Sequence, residues 1–445
     1  MATPRETRAL APTRAAGSGA SPRRLPLRHL GHRPALDGLR GLAFLMVFVG
    51  HAGLSHLRSA ETAMFLFFGL SGFLITASLL GERLVAGRVR LRRFFARRAL
   101  RLGPALVAFL AVWLTVAVSF SGSTWLRTTP GTIRHFRHGL APATSLHLAA
   151  VGLAYQANWY LIYGNENSHR PLTHLWSLSV EEQFYLLWAP LLVGGVAAAG
   201  WILRRRPSRR ALWASLLALP VALGAASLAE AAARLLTATV HDPRVTYGTD
   251  TRAGAFLAGS ALAVLFAAGP SGRVRAVAHR GRKMAAAVSR HLGTAVTAGL
   301  LAALLLVGRI EGDATTLASK AASFVAASIV APVLVAAVTA FPRTAIARAL
   351  ATRPIRYVGT RSYALYLWHY PMLTWLHGHG LAGDALALAA SFAAAEASWR
   401  LVELPALRLR RRFEPGAAGT VRETAETASE GWRGERGGAA LPARG

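Results

Sequence analysis

The sequence predicts an all-α membrane protein: a polytopic bundle of about ten transmembrane helices with both termini in the cytoplasm. The first observation behind this is composition, since 53% of the 445 residues are hydrophobic, 16% are charged and the mean hydropathy is +0.35. The second is a series of apolar runs long enough to cross a bilayer. The third is the clustering of arginine between these runs. This composition excludes a disordered chain and is unusual for a soluble enzyme.

Ten apolar segments define the predicted helices. In chain order they cover about 38–57, 61–81, 103–121, 175–202, 211–229, 253–268, 293–308, 319–340, 361–377 and 384–402. The linkers after the even-numbered segments carry basic runs such as Arg204-Arg205-Arg206. Of the 51 Lys and Arg residues, 39 fall in the six segments predicted to be cytoplasmic. Because Lys and Arg concentrate on the cytoplasmic side of membrane proteins, this distribution determines the predicted orientation.

Residues 145–163 do not fit this alternation, because a further span here would invert every later helix. We therefore expect a re-entrant or interfacial segment, whose Trp159, Tyr160 and Tyr163 suit the headgroup region. The surrounding excursion, about 122–174, is long enough to form a cap over a site.

The predicted organisation has three parts: a disordered basic tail over 1–32, a membrane domain over 33–408 and a disordered tail over 409–445. The formal net charge of +31 would suit nucleic acid, but no soluble stretch is long enough to present a basic face. The chain has no cysteine, which excludes a disulfide, a cysteine metal site and a thioester on the enzyme. With no metalloprotease, P-loop or dinucleotide motif, we expect no permanently bound cofactor or metal.

The first predicted helix carries two ionisable groups on one face. Arg40 and His51 are eleven residues apart, which on an α-helix returns to within roughly 20° of the starting direction and rises about 16 Å. Ionisable side chains are costly inside a bilayer, so this pair indicates a site facing a cavity. The alternative is that Arg40 reaches the headgroups and a neighbouring helix satisfies His51.

A second cluster lies at the beginning of the fourth span. On a helix, His174 and Glu181 share a face with Ser177 between them, whereas Glu182 points in another direction. Acidic residues inside a membrane usually mark a site, which favours a functional interpretation of Glu181. For Glu182, an ion pair with an arginine of a neighbouring helix explains the residue equally well.

A third cluster contains Arg93, Arg97, Arg98 and Arg101, at the inner ends of the second and third spans. Arg97 and Arg98 each lie on the helix surface beside Arg101. Arginines in this arrangement can bind phosphate groups through paired hydrogen bonds. The alternative is that they only reflect the basic character of cytoplasmic loops.

Four further polar residues occur in the later spans. Asp250 and Arg252, at the outer end of the sixth span, suit ion pairs with each other or with nearby partners. His369, in the ninth span, is more often a buried structural group than a catalyst. Glu403, at the inner end of the last span, suits a structural partner of cytoplasmic arginines.

In their order along the chain, these motifs resemble those of the acyltransferase-3 family, integral membrane O-acyltransferases that in many cases modify bacterial glycans. The resemblance runs from about residue 33 to 408. It rests on Leu36-Asp37-Gly38-Leu39-Arg40-Gly41 with His51, on Phe67-Phe68-Gly69-Leu70-Ser71-Gly72-Phe73-Leu74-Ile75-Thr76, on Arg97-Arg98-x-x-Arg101, on His174-x-Trp176-Ser177-Leu178-Ser179-Val180-Glu181-Glu182-Gln183-Phe184-Tyr185, on Thr249-Asp250-Thr251-Arg252, on Tyr366-x-Trp368-His369-x-Pro371 and on Val402-Glu403-x-Pro405.

The resemblance implies transfer of an acyl group, acetyl or another short chain, to a hydroxyl of a carbohydrate-containing acceptor. Such a reaction needs a base and a donor for the developing oxyanion. His51 is the expected base, with Glu181 or Asp37 as its orienting partner. His174 is a further catalytic candidate, and Arg40 is expected to hold a phosphate or carbonyl of the acyl donor.

The resemblance also implies acyl-CoA as the donor substrate, entering from the cytoplasm. Arg97, Arg98 and Arg101 are expected to bind its phosphates, with Ser71 and Trp176 as further donor contacts. After residue 413 the sequence continues only as a short tail, so a relay through an extracytoplasmic domain would require a separate protein. Membrane lipids are the remaining expected partners, and nucleic acid is not expected to bind. The protein is expected in the plasma membrane.

Two other functions are compatible with these residues. A transporter or flippase could use the buried histidines and carboxylates as a proton relay, and a non-catalytic membrane protein could retain the same scaffold. Transporters often show broken helices in two matching halves, and the sequence shows no such symmetry. An arginine cluster beside the inner leaflet also suits a nucleotide-linked donor better than an ion path.

Overall fold

The fold is known from a computed structural model that describes residues 33–54, 59–120, 142–164, 172–203, 208–237, 242–268, 282–313, 316–376 and 380–410. These ranges contain helices and no strand, which confirms the all-α class. In chain order the elements are α1 (Pro34–His51), α2 (Ser59–Ala86), α3 (Leu91–Phe120), α4 (Pro142–Leu153), α5 (Ala157–Tyr163), α6 (Leu175–Ile202), α7 (Arg209–Thr237), α8 (Pro243–Tyr247), α9 (Thr249–Ala268), α10 (Arg282–Asp313), α11 (Leu317–Ala340), α12 (Ala345–Leu350), α13 (Arg353–Thr360), α14 (Ser362–Leu376), α15 (Gly380–Ser398), a π-helical turn (Trp399–Glu403) and α16 (Leu404–Arg410).

Each of the ten predicted spans overlaps a helix, although α1 ends at His51, six residues before the end of the first predicted span. Eight helices in the described ranges are long and apolar enough to cross a bilayer, so the protein is a membrane protein. The two remaining predicted spans lie on α1, which has 18 residues, and on α14, which has 15. The number of spans and the cytoplasmic position of the termini stay predictions. The expected disorder of 1–32 concerns residues outside the described ranges, and so does that of 409–445 except for Leu409 and Arg410, which are helical at the end of α16.

The segment 145–163 forms two short helices, α4 with 12 residues and α5 with seven. Both are too short to cross a bilayer, as a re-entrant or interfacial segment requires. The side-chain amide of Asn158 donates to the carbonyl of Tyr247 at 3.2 Å and to Oγ1 of Thr249 at 3.1 Å. The amide of Gln183 donates in turn to Oδ1 of Asn158 at 2.9 Å. These bonds fasten α5 to α6 and to the beginning of α9.

The centre of the bundle is the pair α2 and α9, which pack along each other and both contact α11. The two backbones approach closely because glycines face each other across the contact. A Cβ at Gly72 would collide with the carbonyl of Phe256, and one at Gly259 would collide with the backbone of Gly69. Small residues allow such close helix contact in membrane proteins. On the periphery of this pair, α1 packs against α2, α13 and α14.

A buried ion pair joins the N-terminal ends of α2 and α9. The guanidinium of Arg252 is completely buried, and its Nη2 donates to Oε1 of Glu61 at 2.6 Å. The Nε atom donates to the carbonyl of Thr246 at 2.9 Å. The rings of Phe65 and Phe324 each lie 4.9 Å from the guanidinium, within cation–π range. Arg252 therefore holds α2, α9 and α11 together.

The other polar residues of the later spans also have local partners. Asp250 pairs with Arg244 at 2.8 Å, so Asp250 and Arg252 each take a different partner and not each other. Glu403 is buried and accepts a hydrogen bond from Ser398 at 3.4 Å. These residues lie within the helix packing of the bundle.

Candidate active site

Three histidines from distant parts of the sequence meet in the structure. His51 ends α1, His174 immediately precedes α6, and His369 lies in the middle of α14. The Nδ1 atom of His51 lies 3.0 Å from Nε2 of His369, and the two rings stack with centroids 5.2 Å apart. The ring of His174 packs edge-on against His369 at 5.7 Å. In the part of the chain that the structure describes, no three His, Cys, Asp or Glu side chains are arranged to hold a metal ion.

The hydrogen bonds of this cluster assign the protons on two of the rings. The Nδ1 atom of His369 lies 2.7 Å from the carbonyl oxygen of Tyr366, and since a carbonyl only accepts, we place a proton on Nδ1. In neutral His369 the Nε2 atom is then an acceptor, so Nδ1 of His51 donates to it. The lone pair of His51 is left on Nε2. Because His369 is fully buried and His51 is exposed, the accessible basic nitrogen belongs to His51.

A proline explains how His174 is held. Pro371 lies inside α14, and because it has no backbone N–H, the carbonyl of Leu367 four residues earlier has no donor within the helix. The Nε2 atom of His174 lies 3.1 Å from that oxygen and supplies the hydrogen bond. The Nδ1 atom of His174 is buried and makes no hydrogen bond to the described residues, so it carries the lone pair.

Aromatic rings surround the histidines. The ring of Tyr370 lies 5.3 Å from that of His51 and 5.2 Å from that of His174. On the buried side, Phe44 contacts His369 edge-on at 5.8 Å. An apolar wall of this kind strengthens the hydrogen bonds that it encloses, because it lowers the local dielectric constant.

A second polar layer lies farther along α6. Glu181 follows His174 by seven residues, a rise of about 10 Å along a helix. Its carboxylate accepts hydrogen bonds from Oγ of Ser71 at 2.6 Å and from the hydroxyl of Tyr185, and Nη2 of Arg98 lies 3.6 Å away. Side chains of α2, α3 and α6 thus fix the position of Glu181.

Arginines beside this layer are paired with carboxylates. Nε and Nη2 of Arg98 donate to Glu182 at 2.9 and 2.6 Å, and the guanidinium lies 3.4 Å above the ring of Tyr185. Arg97 pairs with Glu82 at 3.1 Å. Of the two explanations for Glu182, the ion pair with a neighbouring helix is the one found. Two of the three arginines expected to bind CoA phosphates therefore already bind carboxylates.

Tyr366 joins the two layers. Its backbone carbonyl holds His369, and its hydroxyl donates to the carbonyl of His174 at 2.7 Å. The hydroxyl of Ser177 lies 2.5 Å from that of Tyr366 and donates to it, since the tyrosine proton is already used. Ser177 lies between His174 and Glu181 on α6, so this network spans the distance between the layers.

The orienting partner of His51 differs from the one expected. Asp37 precedes His51 by fourteen residues on the unbroken helix α1, a rise of about 21 Å that excludes a hydrogen bond. Glu181 bonds within the second layer, and His369 occupies Nδ1 of His51. Arg40 is about 16 Å from His51 along the same helix. Its Nε atom is buried and has no hydrogen bond to the described residues.

The structure separates the residues expected to contact the donor. Ser71 donates to Glu181 in the second layer, whereas the ring contacts of Trp176 are with other residues. The ring of Trp176 packs edge-on against Phe68 at 6.1 Å and Tyr247 at 5.3 Å. Arg101 is exposed on α3. These residues do not form one compact donor pocket.

His369 and Tyr366 are functional candidates whose importance sequence reasoning underrated. The nearest sequence signal is Pro371, which frees the carbonyl of Leu367, and in the structure that carbonyl is bound by His174. His369 instead lies 2.7 Å from the carbonyl oxygen of Tyr366, a contact that the proline does not predict.

A family model described as an acyltransferase domain, that of the acyltransferase-3 family, matches residues 33–395, most of the chain. The chain belongs to this family. The match confirms the resemblance drawn from the motifs, and it includes the three histidines, the paired carboxylates of α6 and the arginines of α3.

Two relatives illustrate the similarity. The chain is 30% identical over 385 residues to the peptidoglycan O-acetyltransferase OatA of Listeria monocytogenes, covering 84% of this chain and 55% of that protein. It is 27% identical over 392 residues to the O-acetyltransferase OatA of Staphylococcus aureus, covering 84% and 57%. This acyltransferase-3 chain therefore spans about half the length of the curated relatives it matches. No solved structure gives a significant match.

Proposed function

We propose that this family member is a membrane O-acyltransferase that moves an acetyl or other short acyl group onto a hydroxyl of a cell-envelope carbohydrate, in the plasma membrane. Its family membership and the names of its relatives support an O-acyltransferase, and one of those names specifies peptidoglycan. The observation that carries the proposal is the state of His51. Its Nδ1 is bound to His369, which leaves the lone pair on Nε2, and the residue is exposed.

In the proposed reaction, Nε2 of His51 takes the proton of the acceptor hydroxyl as that oxygen attacks the acyl carbon. The bond between the acyl carbon and the leaving group then breaks, and His51 returns the proton to the leaving group. While His51 is cationic, its Nδ1–H bond to His369 becomes charge-assisted and stronger. General acid–base catalysis of this kind contributes roughly 10²–10⁴-fold, so positioning of donor and acceptor supplies the rest.

We propose acyl-CoA as the donor, approaching from the end of the bundle predicted to face the cytoplasm. The support is the predicted cytoplasmic concentration of arginine and the buried Nε of Arg40, which lacks a hydrogen bond to the described residues. Arg98 is a weaker candidate than Arg40 for contact with the donor, because its guanidinium is already bound to Glu182. A donor that reached Arg98 would have to displace that carboxylate.

The experiment uses the purified full chain in proteoliposomes with isotopically labelled acetyl-CoA and envelope glycan fragments. Mass spectrometry should find the labelled acetyl group on the glycan, and the His51→Ala variant should lose at least 10²-fold of the rate. His291→Ala, at an exposed histidine of α10, is the matched control and should keep full activity. Transfer that persists in His51→Ala would remove this residue as the base.

The donor is tested separately from the base. Labelled acetyl-CoA is offered to the protein with and without glycan, and the Arg40→Gln variant is compared with wild type. We expect Arg40→Gln to raise the KM for the donor more than it lowers kcat. If only a different acetyl donor supports transfer while His51→Ala still abolishes it, the acyl-CoA proposal fails and the acyltransferase proposal survives.

A further inference from the structure

A cavity away from the histidines lies between the C-terminal halves of α2 and α6. Its volume is about 280 Å³, and its walls are mostly aliphatic, including Leu79 of α2 and Leu192 and Val196 of α6. Arg83 and Arg88 complete the lining. The cavity is therefore amphipathic: an apolar interior with two cations beside it.

The turn that carries Arg88 has a defined conformation. Gly87 adopts a φ of +70°, which reverses the chain after α2 at no steric cost for glycine. The carboxylate of Glu82 then accepts the backbone N–H of Arg90 at 2.9 Å and Nη2 of Arg97 at 3.1 Å. These bonds tie the turn to both helices. Arg88 thus projects from a backbone whose position is fixed before any ligand binds.

The charges at this cavity are available to a ligand. Arg83 and Arg88 are exposed, and neither makes an ion pair or hydrogen bond to a residue in the described ranges. In contrast, Arg97 and Arg98 of the next helix are both paired with carboxylates. An anion approaching this end of the bundle therefore meets two unneutralised guanidinium groups directly beside an apolar recess.

The cavity is separate from the histidine and carboxylate layers. Leu192 follows Glu181 by eleven residues on α6, a rise of about 16 Å. Between them, the indole N–H of Trp188 donates to Oγ1 of Thr76 at 2.8 Å, and Trp188 is buried. This contact closes the interface of α2 and α6, so a ligand in the cavity does not reach Glu181.

We propose that this cavity binds an anionic phospholipid of the cytoplasmic leaflet. Its phosphate would bind Arg83 and Arg88, and the first part of an acyl chain would enter the recess between Leu79 and Val196. The arginine distribution predicts that this end of the bundle lies at the inner leaflet, where anionic lipids attract basic residues. Basic pockets between transmembrane helices on that side suit such headgroups. Charge complementarity and the aliphatic walls together favour a lipid over a soluble anion.

The test is native mass spectrometry of the full chain released from nanodiscs that contain equal amounts of phosphatidylglycerol and phosphatidylcholine. Wild type should retain phosphatidylglycerol preferentially, and the double variant Arg83→Gln/Arg88→Gln should retain at least tenfold less. Arg92→Gln, at an exposed arginine outside the cavity, is the matched charge control and should behave as wild type. Equal retention by the double variant and wild type would overturn the proposal.

A second pair of variants tests the recess itself. Ala197→Phe fills the cavity, whereas Ala198→Phe adds the same ring to the next residue of α6, which does not line it. Loss of bound phosphatidylglycerol in the first variant alone supports the proposal, and loss in neither overturns it. Displacement of the lipid by inorganic phosphate or acetyl-CoA at equal concentration would show a general phosphate site and also overturn it.

Discussion

The Nδ1 atom of His51 lies 3.0 Å from Nε2 of His369, although 318 residues separate the two in sequence. The bond joins the end of α1 to the middle of α14, and the carbonyl of Tyr366 extends it by one further hydrogen bond. In serine hydrolases a carboxylate holds the catalytic histidine in one tautomer. Here the buried neutral imidazole of His369 accepts from Nδ1 of His51 and thereby holds His51 in one tautomer.

Replacement of His369 should lower the rate without weakening substrate binding. His369→Leu removes the acceptor for Nδ1 of His51, so the base is free to rotate or to adopt the other tautomer. We expect kcat to fall about 10²-fold, since loss of the correct tautomer is costly in related hydrogen-bonded pairs. Acceptor KM should change little. Steady-state acyl transfer by the purified variant is the measurement.

The matched control for this prediction is His369→Gln. Its side-chain oxygen can accept from Nδ1 of His51, so it should recover part of the rate lost in His369→Leu. Equal activity of the two variants would show that His369 acts only by filling space.

Pro371→Ala should make the protein more stable and less active. The new N–H can donate to the carbonyl of Leu367 and will compete with Nε2 of His174 for it. Proline inside a helix costs about 3 kcal/mol, so its removal should raise the unfolding temperature in detergent. Activity should fall severalfold as His174 loses its anchor. Unchanged activity in a stabilised variant would remove His174 from the site.

Arg98→Gln should affect stability before it affects donor binding. The substitution leaves the carboxylate of Glu182 buried without its cation, at a cost of about 3–5 kcal/mol. The double variant Arg98→Gln/Glu182→Gln should regain much of this loss, because no unpaired charge remains. Thermal unfolding of both variants, with Arg92→Gln as an exposed control, gives the comparison.

The donor-binding role expected for Arg98 from the sequence, in which it binds phosphates of acyl-CoA, predicts a different result. In that case Arg98→Gln would unfold at the wild-type temperature, while its KM for acetyl-CoA would rise tenfold or more. The two roles of Arg98 are therefore separated by one pair of measurements.

Two glycines of α2 should respond oppositely to alanine. At Gly72 a Cβ would collide with the carbonyl of Phe256, so Gly72→Ala should destabilise the protein by about 1–3 kcal/mol. At Gly81 nothing lies within 4 Å of the added Cβ, so Gly81→Ala should be neutral or stabilising by up to about 1 kcal/mol. Unfolding temperatures of the two variants test this, and equal effects would contradict the close packing of α2 and α9.

Most of the helix pattern could be predicted from the sequence, because apolar length and arginine placement respond to the bilayer and not to the fold. The α6 span, for example, begins and ends where expected, at 175 and 202. The helix α3 is longer than the span predicted on it, since it begins twelve residues earlier, at Leu91 within the basic run. Arginines can continue a helix beyond the bilayer, and a hydropathy profile does not detect that extension because it responds only to the apolar part.

The partners of polar side chains were harder to predict. Helix geometry alone excludes a bond from Asp37 to His51, so that expectation could have been rejected without a structure. The sequence does not identify His369 as the hydrogen-bond partner of His51, because that contact depends on the way α14 packs against α1. The pairing of Arg98 with Glu182 was one of two open alternatives, and only tertiary structure distinguishes them.

The ion pair of Arg252 and Glu61 has a consequence for biosynthesis. An isolated arginine in a membrane-inserting helix carries a penalty of about 2.5–3.5 kcal/mol at the helix centre, and less towards its end. Glu61 precedes Arg252 by 191 residues, so α2 leaves the ribosome long before α9. The helix that contains the acid is already available when the helix that contains the base enters the bilayer. Translation order thus lets the later helix find its counter-ion on arrival, and Glu61→Gln should lower the yield of inserted protein even where the finished fold tolerates it.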